Sequence, residues 1–427
     1  MPESLVLKGG RVVEQAGERV ADVVVSEGRI VAVGPDLSAD RVLDAGGCVV
    51  APGLVDLHAH LRQPGQEEAE TIETGSRCAA LGGFTAVVAM PNTTPAIDSA
   101  AVVREVQELA RAALCAVHPA GAITVGRAGE RLAPLAEMAE LGVRLFTDDG
   151  TGVQDDLLMR RAMEYAVGLP HDVVLAQHCE NAELAAGGHM HEGEWSSRLG
   201  MAGQPSEAEE AMVARDIALA RLTGCRVHMQ HMSTAGSVAL VAAARASGLA
   251  ISAEATPHHL LLTHAACASF DPVFKVNPPL RTEEDVAAVR RGVADGALDV
   301  IATDHAPHTP DAKDEPFDQA PPGMLGLEFA LGVALSVLDL PLGEVLARMS
   351  WRPAAVAGLA GTQGGPVEPG RPANLCVIDP EASWTVEAGA TASRSRNIPY
   401  VGRTLKGRVR HTVSAGEPVV VDGVAQR

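Results

Sequence analysis

Along most of the chain, short apolar runs alternate with longer stretches whose apolar residues recur every three to four positions. The runs are residues 54–58, 84–90, 114–118, 143–147, 173–177, 225–231, 249–253 and 298–302. Each has the length of a strand buried on both faces. The intervening stretches carry helical spacing. From Asp98 to Ala113, Val102, Val106, Leu109 and Ala113 share one face, with Asp98 available as N-cap. Ser206-Glu207-Ala208-Glu209 has the form of a capping box and opens a helix predicted to run to Thr223, before Gly224. These strand-then-helix units, filling residues 51–361, predict an α/β chain folded as a (β/α)8 TIM barrel rather than an open sheet.

The two ends have another texture. Residues 1–50 hold β-branched runs at Leu5–Leu7, Arg11–Val13, Asp22–Val25 and Ile30–Val33, split by Gly9-Gly10, Glu27-Gly28 and Gly34-Pro35. Residues 362–427 return to that pattern at Asn374–Ile378, Ser383–Val386, Arg408–Arg410 and Val419–Val421. Such runs broken by turn residues predict short strands. Because termini often lie close together, the two ends are expected to form one small composite β-sandwich domain beside the barrel.

Composition narrows the picture. Hydrophobic residues make up 47% of the 427 positions but aromatics only 3%, so a large core must be built from Ala, Val and Leu. A net charge of −20 argues against nucleic acid as a partner. It leaves room for a small anionic substrate, since a few local arginines can reverse the field in a pocket. The seven cysteines are odd in number and form no Cys-x-x-Cys, which argues against a disulfide framework or a thiolate zinc site. Met1-Pro2-Glu3-Ser4 has no basic or apolar leader character, and no apolar run reaches membrane-spanning length. A cytoplasmic protein with no membrane association is the expectation.

The chemistry lies where the runs stop. In a (β/α)8 barrel the working residues stand at the C-terminal ends of the strands. The first run ends in His58-Ala59-His60-Leu61-Arg62, and residues two apart in a strand point to one side. Taken alone, His-x-His suits two polar side chains on a strand edge as well as a metal site. The other ends add to it: Met90-Pro91-Asn92-Thr93, Thr147-Asp148-Asp149-Gly150, Gln177-His178-Cys179-Glu180, Gln230-His231-Met232-Ser233 and Thr303-Asp304-His305-Ala306-Pro307-His308. Histidines and aspartates at successive strand ends make a metal-ligand inventory. Several independent criteria meeting at one barrel edge outweigh the separate readings of each residue as a core histidine, a turn or a cap. Gly-x-Gly-x-x-Gly, a Gly-Lys phosphate loop and Gly-x-Ser-x-Gly are all missing.

Several motifs carry a family resemblance. They are Ala51-Pro52-Gly53-Leu54-Val55-Asp56-Leu57-His58, Ala89-Met90-Pro91-Asn92-Thr93, Asp148-Asp149-Gly150, His178-Cys179-Glu180, Ala255-Thr256-Pro257-His258-His259-Leu260, Lys275-Val276-Asn277-Pro278-Pro279-Leu280-Arg281 and Ala302-Thr303-Asp304-His305-Ala306-Pro307-His308. With them the chain resembles the amidohydrolase superfamily over nearly its whole length, specifically its cyclic amidohydrolases and most closely the bacterial type I dihydroorotases. The resemblance implies reversible cyclisation of N-carbamoyl-L-aspartate to dihydroorotate in pyrimidine synthesis. It implies two zinc ions: one on His58, His60 and Asp304, the other on His178 and His231, bridged by Asp149 and a hydroxide. Asp149 is preferred to Asp148 because it holds the family's bridging place before glycine; spacing alone does not separate the two.

Asp304 is the expected acid and base. The expected substrate contacts are His60, Leu61, Arg62, Asn92, Asn277, His308, Pro322 and Gly323, with Arg62 suited to a bidentate carboxylate contact. Pro322 stands where family members tend to have an aromatic, and Gln63 where they commonly have glutamate. The polar, Pro-rich stretch Thr309–Gly323 reads as an active-site loop that moves on binding. Of the remaining histidines, His118, His228 and His264 show no paired acid in the sequence. His258 and His259 receive no metal role, and His305 is expected to support Asp304 and the loop.

Two other readings stay open at this level. A hydantoinase or allantoinase would use the same scaffold, but many such relatives bridge their metals with a carbamylated lysine at the fourth strand, and the lysines here are Lys8, Lys275, Lys313 and Lys406. A non-catalytic partner of an aspartate transcarbamoylase would be expected to have lost metal ligands. Association with such an enzyme, and a homodimer, are partner expectations from the resemblance.

Overall fold

The computed structural model describes residues 4–427; Met1, Pro2 and Glu3, part of the N-terminal stretch read above, lie outside it. The chain opens with β1 Leu5–Lys8, β2 Arg11–Glu14, β3 Gly17–Val20, β4 Asp22–Ser26, β5 Arg29–Gly34, β6 Arg41–Asp44 and β7 Val49–Pro52. The eight apolar runs then become β8 Leu54–Ala59, β9 Phe84–Ala89, β10 Ala116–Pro119, β11 Leu145–Phe146 and β12 Val174–Gln177, followed, after a small parallel pair β13 Met190–His191 and β14 Gly203–Gln204, by β15 Val227–Met229, β16 Ile251–Ala255 and β17 Val300–Ile301. The chain ends with β18 Leu375–Thr385, β19 Thr404–Ser414, β20 Glu417–Val421 and β21 Val424–Ala425.

The eight run-derived strands are all parallel. They form a sheet in the order β10-β9-β8 and another in the order β11-β12-β15-β16-β17. Isolated parallel bridges join the two at both seams, Gly121 to Phe146 and Ala59 to His305. Alternation along each strand divides its side chains between two cores. Val55 and Leu57, Ala86 and Val88, and Val174 and Ala176 enter one cluster. Leu54, Phe84, Val87 and Leu175 enter another, shared with helix residues such as Val213, Val241 and Val293. Ala, Val and Leu dominate both, as the low aromatic content requires.

The terminal strands make two further sheets. One, β5-β4-β1-β6, is N-terminal; the other, β21-β20-β19-β18-β7-β2-β3, interleaves strands from both ends. Leu7, Val23 and Ile30 of the first share an apolar cluster with Val12, Val50, Val377 and Val413 of the second. The pairing of β7 with β18 ties the two ends together immediately before β8 begins. All seven cysteines are free and buried, and no helix of the described residues is long and apolar enough to cross a membrane.

Two predicted caps are replaced by tertiary contacts. The helix expected to start at Asp98 spans Ala100–Leu109 with Ser99 at its N-cap, and Asp98 instead accepts from the Gly126 amide at 2.7 Å. The helix Glu207–Thr223 forms, but Ser206 is itself in helical conformation and caps nothing. Glu209 is drawn away from the predicted box to accept from the amides of Ser233 and Thr234, both at 3.1 Å, and from the Ser233 hydroxyl. A buried carboxylate takes the partners that satisfy it best, and here they lie on the next loop. Where Thr71 and Thr282 precede helices, capping boxes do form.

Phe84 is fully buried at the start of β9, far from the strand ends that carry the chemistry. Replacing it with Ala should lower stability by about 3–5 kcal/mol, read from urea unfolding, while the folded protein keeps its activity. A loss below about 1 kcal/mol would show that the site can collapse around the cavity.

Candidate active site

Four imidazoles from three different strand ends converge on Asp149. His58 Nε2 lies 3.2 Å from Asp149 Oδ1 and 3.5 Å from Asp304 Oδ1. His60 Nε2 lies 3.6 Å from Asp149 Oδ2 and 3.0 Å from Asp304 Oδ1. On the other side, His178 Nδ1 and His231 Nε2 are each 3.8 Å from Asp149 Oδ1 and 2.8 Å from one another. All six residues are buried. Two groups thus have the closeness of metal ligands, His58-His60-Asp149 and Asp149-His178-His231, with Asp149 common to both. Asp148, its neighbour, turns away and accepts from the amides of Ile123 and Thr124 and the Thr124 hydroxyl.

The hydrogen bonds behind the histidines determine what those converging atoms can do. A carboxylate only accepts, so His58 donates its Nδ1–H to Glu254 at 2.7 Å. His60 Nδ1–H donates to the Asn92 side-chain carbonyl at 2.9 Å. In both rings this leaves Nε2 facing Asp149 and Asp304, with His60 Nε2 at hydrogen-bond distance, 3.0 Å, from Asp304 Oδ1. His58 Nε2 is buried without a hydrogen-bond partner. Ring nitrogens and carboxylate oxygens this close need a proton or a metal ion among them, and nitrogen and oxygen donors of this kind suit zinc. Burial opposes charge on His58, but the Asp149, Asp304 and Glu254 carboxylates overcome it and raise its pKa well above the ordinary value. Burial likewise opposes charge on Asp304, yet His58 and His60 hold its carboxyl below the usual range. The site favours positive charge at its centre, and its residues fit a metal.

The sequence did not reveal Glu254. It sits inside β16, one residue past the apolar run 249–253, and it is fully buried. It also accepts from His228 Nε2 at 3.0 Å and from the His231 amide at 3.2 Å. His228, read as lacking an acid, therefore has one. Burial opposes ionisation of Glu254, but His58 and His228 hold its carboxyl down at about 2. Asp56 was quoted only within the lead-in motif. It accepts from the Thr303 amide at 2.9 Å and hydroxyl at 2.5 Å, tying the His58 strand to the residue before Asp304. The signal for both was an acid inside a buried strand, which persists only when paired.

A cleft of about 190 Å³ opens onto the cluster, lined among others by His60, Arg62, Asn92, Asn277, His308, Pro322 and Gly323. Leu61 does not line it; its side chain packs in the apolar core against Gly75. Arg62 donates Nε–H to Pro307 O at 3.0 Å, and burial pulls its pKa down only to about 10, so it stays charged at neutral pH. His308 Nε2–H donates to Pro322 O at 2.8 Å. Gly323 has φ +148°, and a Cβ there would lie 2.8 Å from His308 Nε2, so the cleft wall requires glycine. Arg62, His231 and Asp304 all have positive φ, at 61°, 39° and 45°. Such backbone is uncommon outside glycine and collects at functional sites. His305 braces the loop after Asp304: its Nδ1 accepts from the Gly326 amide at 3.2 Å, and its Nε2 lies 3.5 Å from Glu70.

A family model described as "Dihydro-orotase-like" matches residues 47–237. A dihydroorotase from Pelotomaculum thermopropionicum is 48% identical over 98% of this chain and 99% of its own length. One from Mycobacterium tuberculosis is also 48% identical, over 98% and 99%. The chain belongs to the dihydroorotase family. Its fold is shared with more distant relatives: the L-hydantoinase (dihydropyrimidinase) of Arthrobacter aurescens superposes with a TM-score of 0.89 at 24% identity, covering 100% of this chain and 98% of that one. The dihydropyrimidinase of Brevibacillus agri gives 0.85 at 22%, covering 99% and 96%. These likenesses establish a fold shared with those two proteins, while the full-length relatives fix the function as that of a dihydroorotase, a cyclic amidohydrolase acting on a small molecule.

Glu254 orients His58 without reaching the cleft. Glu254→Gln keeps its shape and removes its charge. Metal affinity should fall by about 10–100-fold, read by titrating metal into the apo-protein. Wild-type affinity in the variant would contradict the assignment.

Proposed function

We propose that this dihydroorotase works as a zinc enzyme with two ions per chain, one held by His58, His60 and Asp304 and the other by His178 and His231, with Asp149 between them. The observation that carries this reading is the pair of Nε2 atoms, on His58 and His60, held facing two carboxylates by Glu254 and Asn92. The ions would supply Lewis acidity, making water a competent nucleophile near neutral pH and polarising the scissile carbonyl.

The chain's own groups do the rest. In the hydrolytic direction Asp304 accepts the proton of the attacking water and delivers it to the ring nitrogen as the C–N bond breaks. In the synthetic direction the carbamoyl nitrogen of N-carbamoyl-L-aspartate attacks the side-chain carboxylate carbon. Asp304 then moves the nitrogen's proton to the departing oxygen, which takes one further proton from solvent and leaves as water. Arg62, charged and at the cleft wall, takes the substrate carboxylate with Asn92 and His308. Asn277 contacts the ring, and the backbone of Pro322 and Gly323 closes the far side. His60 and Leu61 complete the contacts, Leu61 through its main chain.

The lining supports a carboxylate bridge over the carbamylated lysine of hydantoinases, since no lysine lines the cleft. The architecture we propose around it is a closed (β/α)8 barrel over residues 51–361, supported by the two seam bridges. Residues 1–50 and 362–427 would form one β-sandwich domain, supported by the core their two sheets share.

Asp304→Asn should lower kcat for dihydroorotate hydrolysis by about 10²–10⁴-fold while circular dichroism and the thermal midpoint stay near wild type. Near-normal turnover in a folded Asn variant would refute the role of Asp304.

A further inference from the structure

Lys313 lies outside the strand-end cluster, in the loop between Asp304 and Gly323. It ends a single helical turn, Pro310–Lys313, capped by the Thr309 hydroxyl. Its ammonium donates to Pro272 O at 2.7 Å and Pro321 O at 2.9 Å, and lies 3.4 Å from Lys275 O. An ammonium has three N–H donors and no acceptor, so its donors go to main-chain carbonyls of two separate segments. One segment, Pro272 to Lys275, continues through Val276 into Asn277. The other, Pro321, immediately precedes Pro322 and Gly323. The same seam is stitched twice more: Lys275 Nζ donates to Asp318 O at 3.0 Å, and the Gly323 amide donates to Lys275 O at 2.9 Å.

We propose that Lys313 is a positioning residue whose ammonium pins the 309–323 loop against residues 272–277, and so sets the placement of Asn277 and Pro322–Gly323 toward the substrate. This rests on the substrate contacts assigned above. No carboxylate pairs with Lys313 among the described residues' ion pairs, so its charge serves the carbonyls. Burial, then the neighbouring Lys275, pushes its pKa down to about 7 against the pull of Asp271. A side chain serving only to fill space would avoid that cost by being apolar. Only a side chain with several donors on one atom joins carbonyls of both segments at once. The clamp also borders a cleft of about 470 Å³ lined by Asp271, Phe274, His308, Lys313 and Arg396, which shares His308 with the cleft over the metal-ligand cluster.

That cleft allows a chemical test on the full-length, metal-loaded enzyme. Lys313→Met keeps the length of the side chain and removes the ammonium. It should raise KM for dihydroorotate by about tenfold or more while kcat changes by less than about threefold. Hydrogen exchange should quicken at residues 272–277 and 309–323 and nowhere else. In Lys313→Ala, propylammonium supplies the missing carbons and charge and should bring KM back toward wild type, whereas propanol should not. An unmoved KM in Lys313→Met overturns the proposal, as does a raised KM that propylammonium leaves unchanged. Unaltered exchange at 309–323 overturns it independently of any substrate. A wild-type enzyme that fails to turn over dihydroorotate would instead sink the functional reading, and the exchange experiment would still decide the clamp.

Discussion

The structure depends on a problem of charge: four imidazoles and two carboxylates are buried together, with ring nitrogens and carboxylate oxygens facing one another. His58 and His60 cannot turn away, because Glu254 and Asn92 hold their other nitrogens. Asp149 and Asp304 cannot escape to water, because both are buried. Removing one partner from a buried charged pair costs about 3–5 kcal/mol, so the two carboxylates need positive charge held among them. The same constraint explains the surrounding layer. Glu254 serves His58, His228 and the His231 amide at once, and Asp56 fastens the strand of His58 to Thr303. Glu254 fixes the direction of His58 and Asp56 the strand that carries it, and neither lines the cleft.

The fold delivers these groups by sending alternate side chains of each parallel strand into separate cores and leaving the C-terminal ends free. At those ends the backbone departs from regular strand geometry. His231 and Asp304 hold positive φ, which directs their side chains inward, and Arg62 does the same at the cleft wall. The two ends of the chain pair through β7 and β18 immediately before β8, so the strand carrying His58 starts from a fixed base. The Glu254→Gln variant addresses the layer behind the ligands, and Lys313 addresses the loop above them; the cleft lies between.

Much of this was legible in the sequence because the apolar runs stop where the chemistry begins. His58, His60, Asp149, His178, His231 and Asp304 all stand at such stops, and the structure brings all six within one cluster. What the sequence hid has physical reasons. Glu254 interrupts an apolar run, so it read as the end of a strand that in fact continues to Ala255. β3 is exposed at every position, and therefore carries no alternation to detect. Asp148 and Asp149 share one turn, and only their partners, Thr124 and the histidines, tell them apart. The caps expected at Asp98 and Ser206 gave way to Gly126 and to the Ser233–Thr234 loop, partners that local spacing cannot foresee.

The central claim is that cations complete the buried cluster. The most direct measurement is the metal content of the purified protein, followed by stepwise removal with a chelator while dihydroorotate hydrolysis is assayed. The account predicts about two zinc equivalents per chain, activity that falls as they leave and returns on adding zinc, and loss of bound metal in His60→Ala and His178→Ala. Full activity in a protein stripped of metal would contradict it.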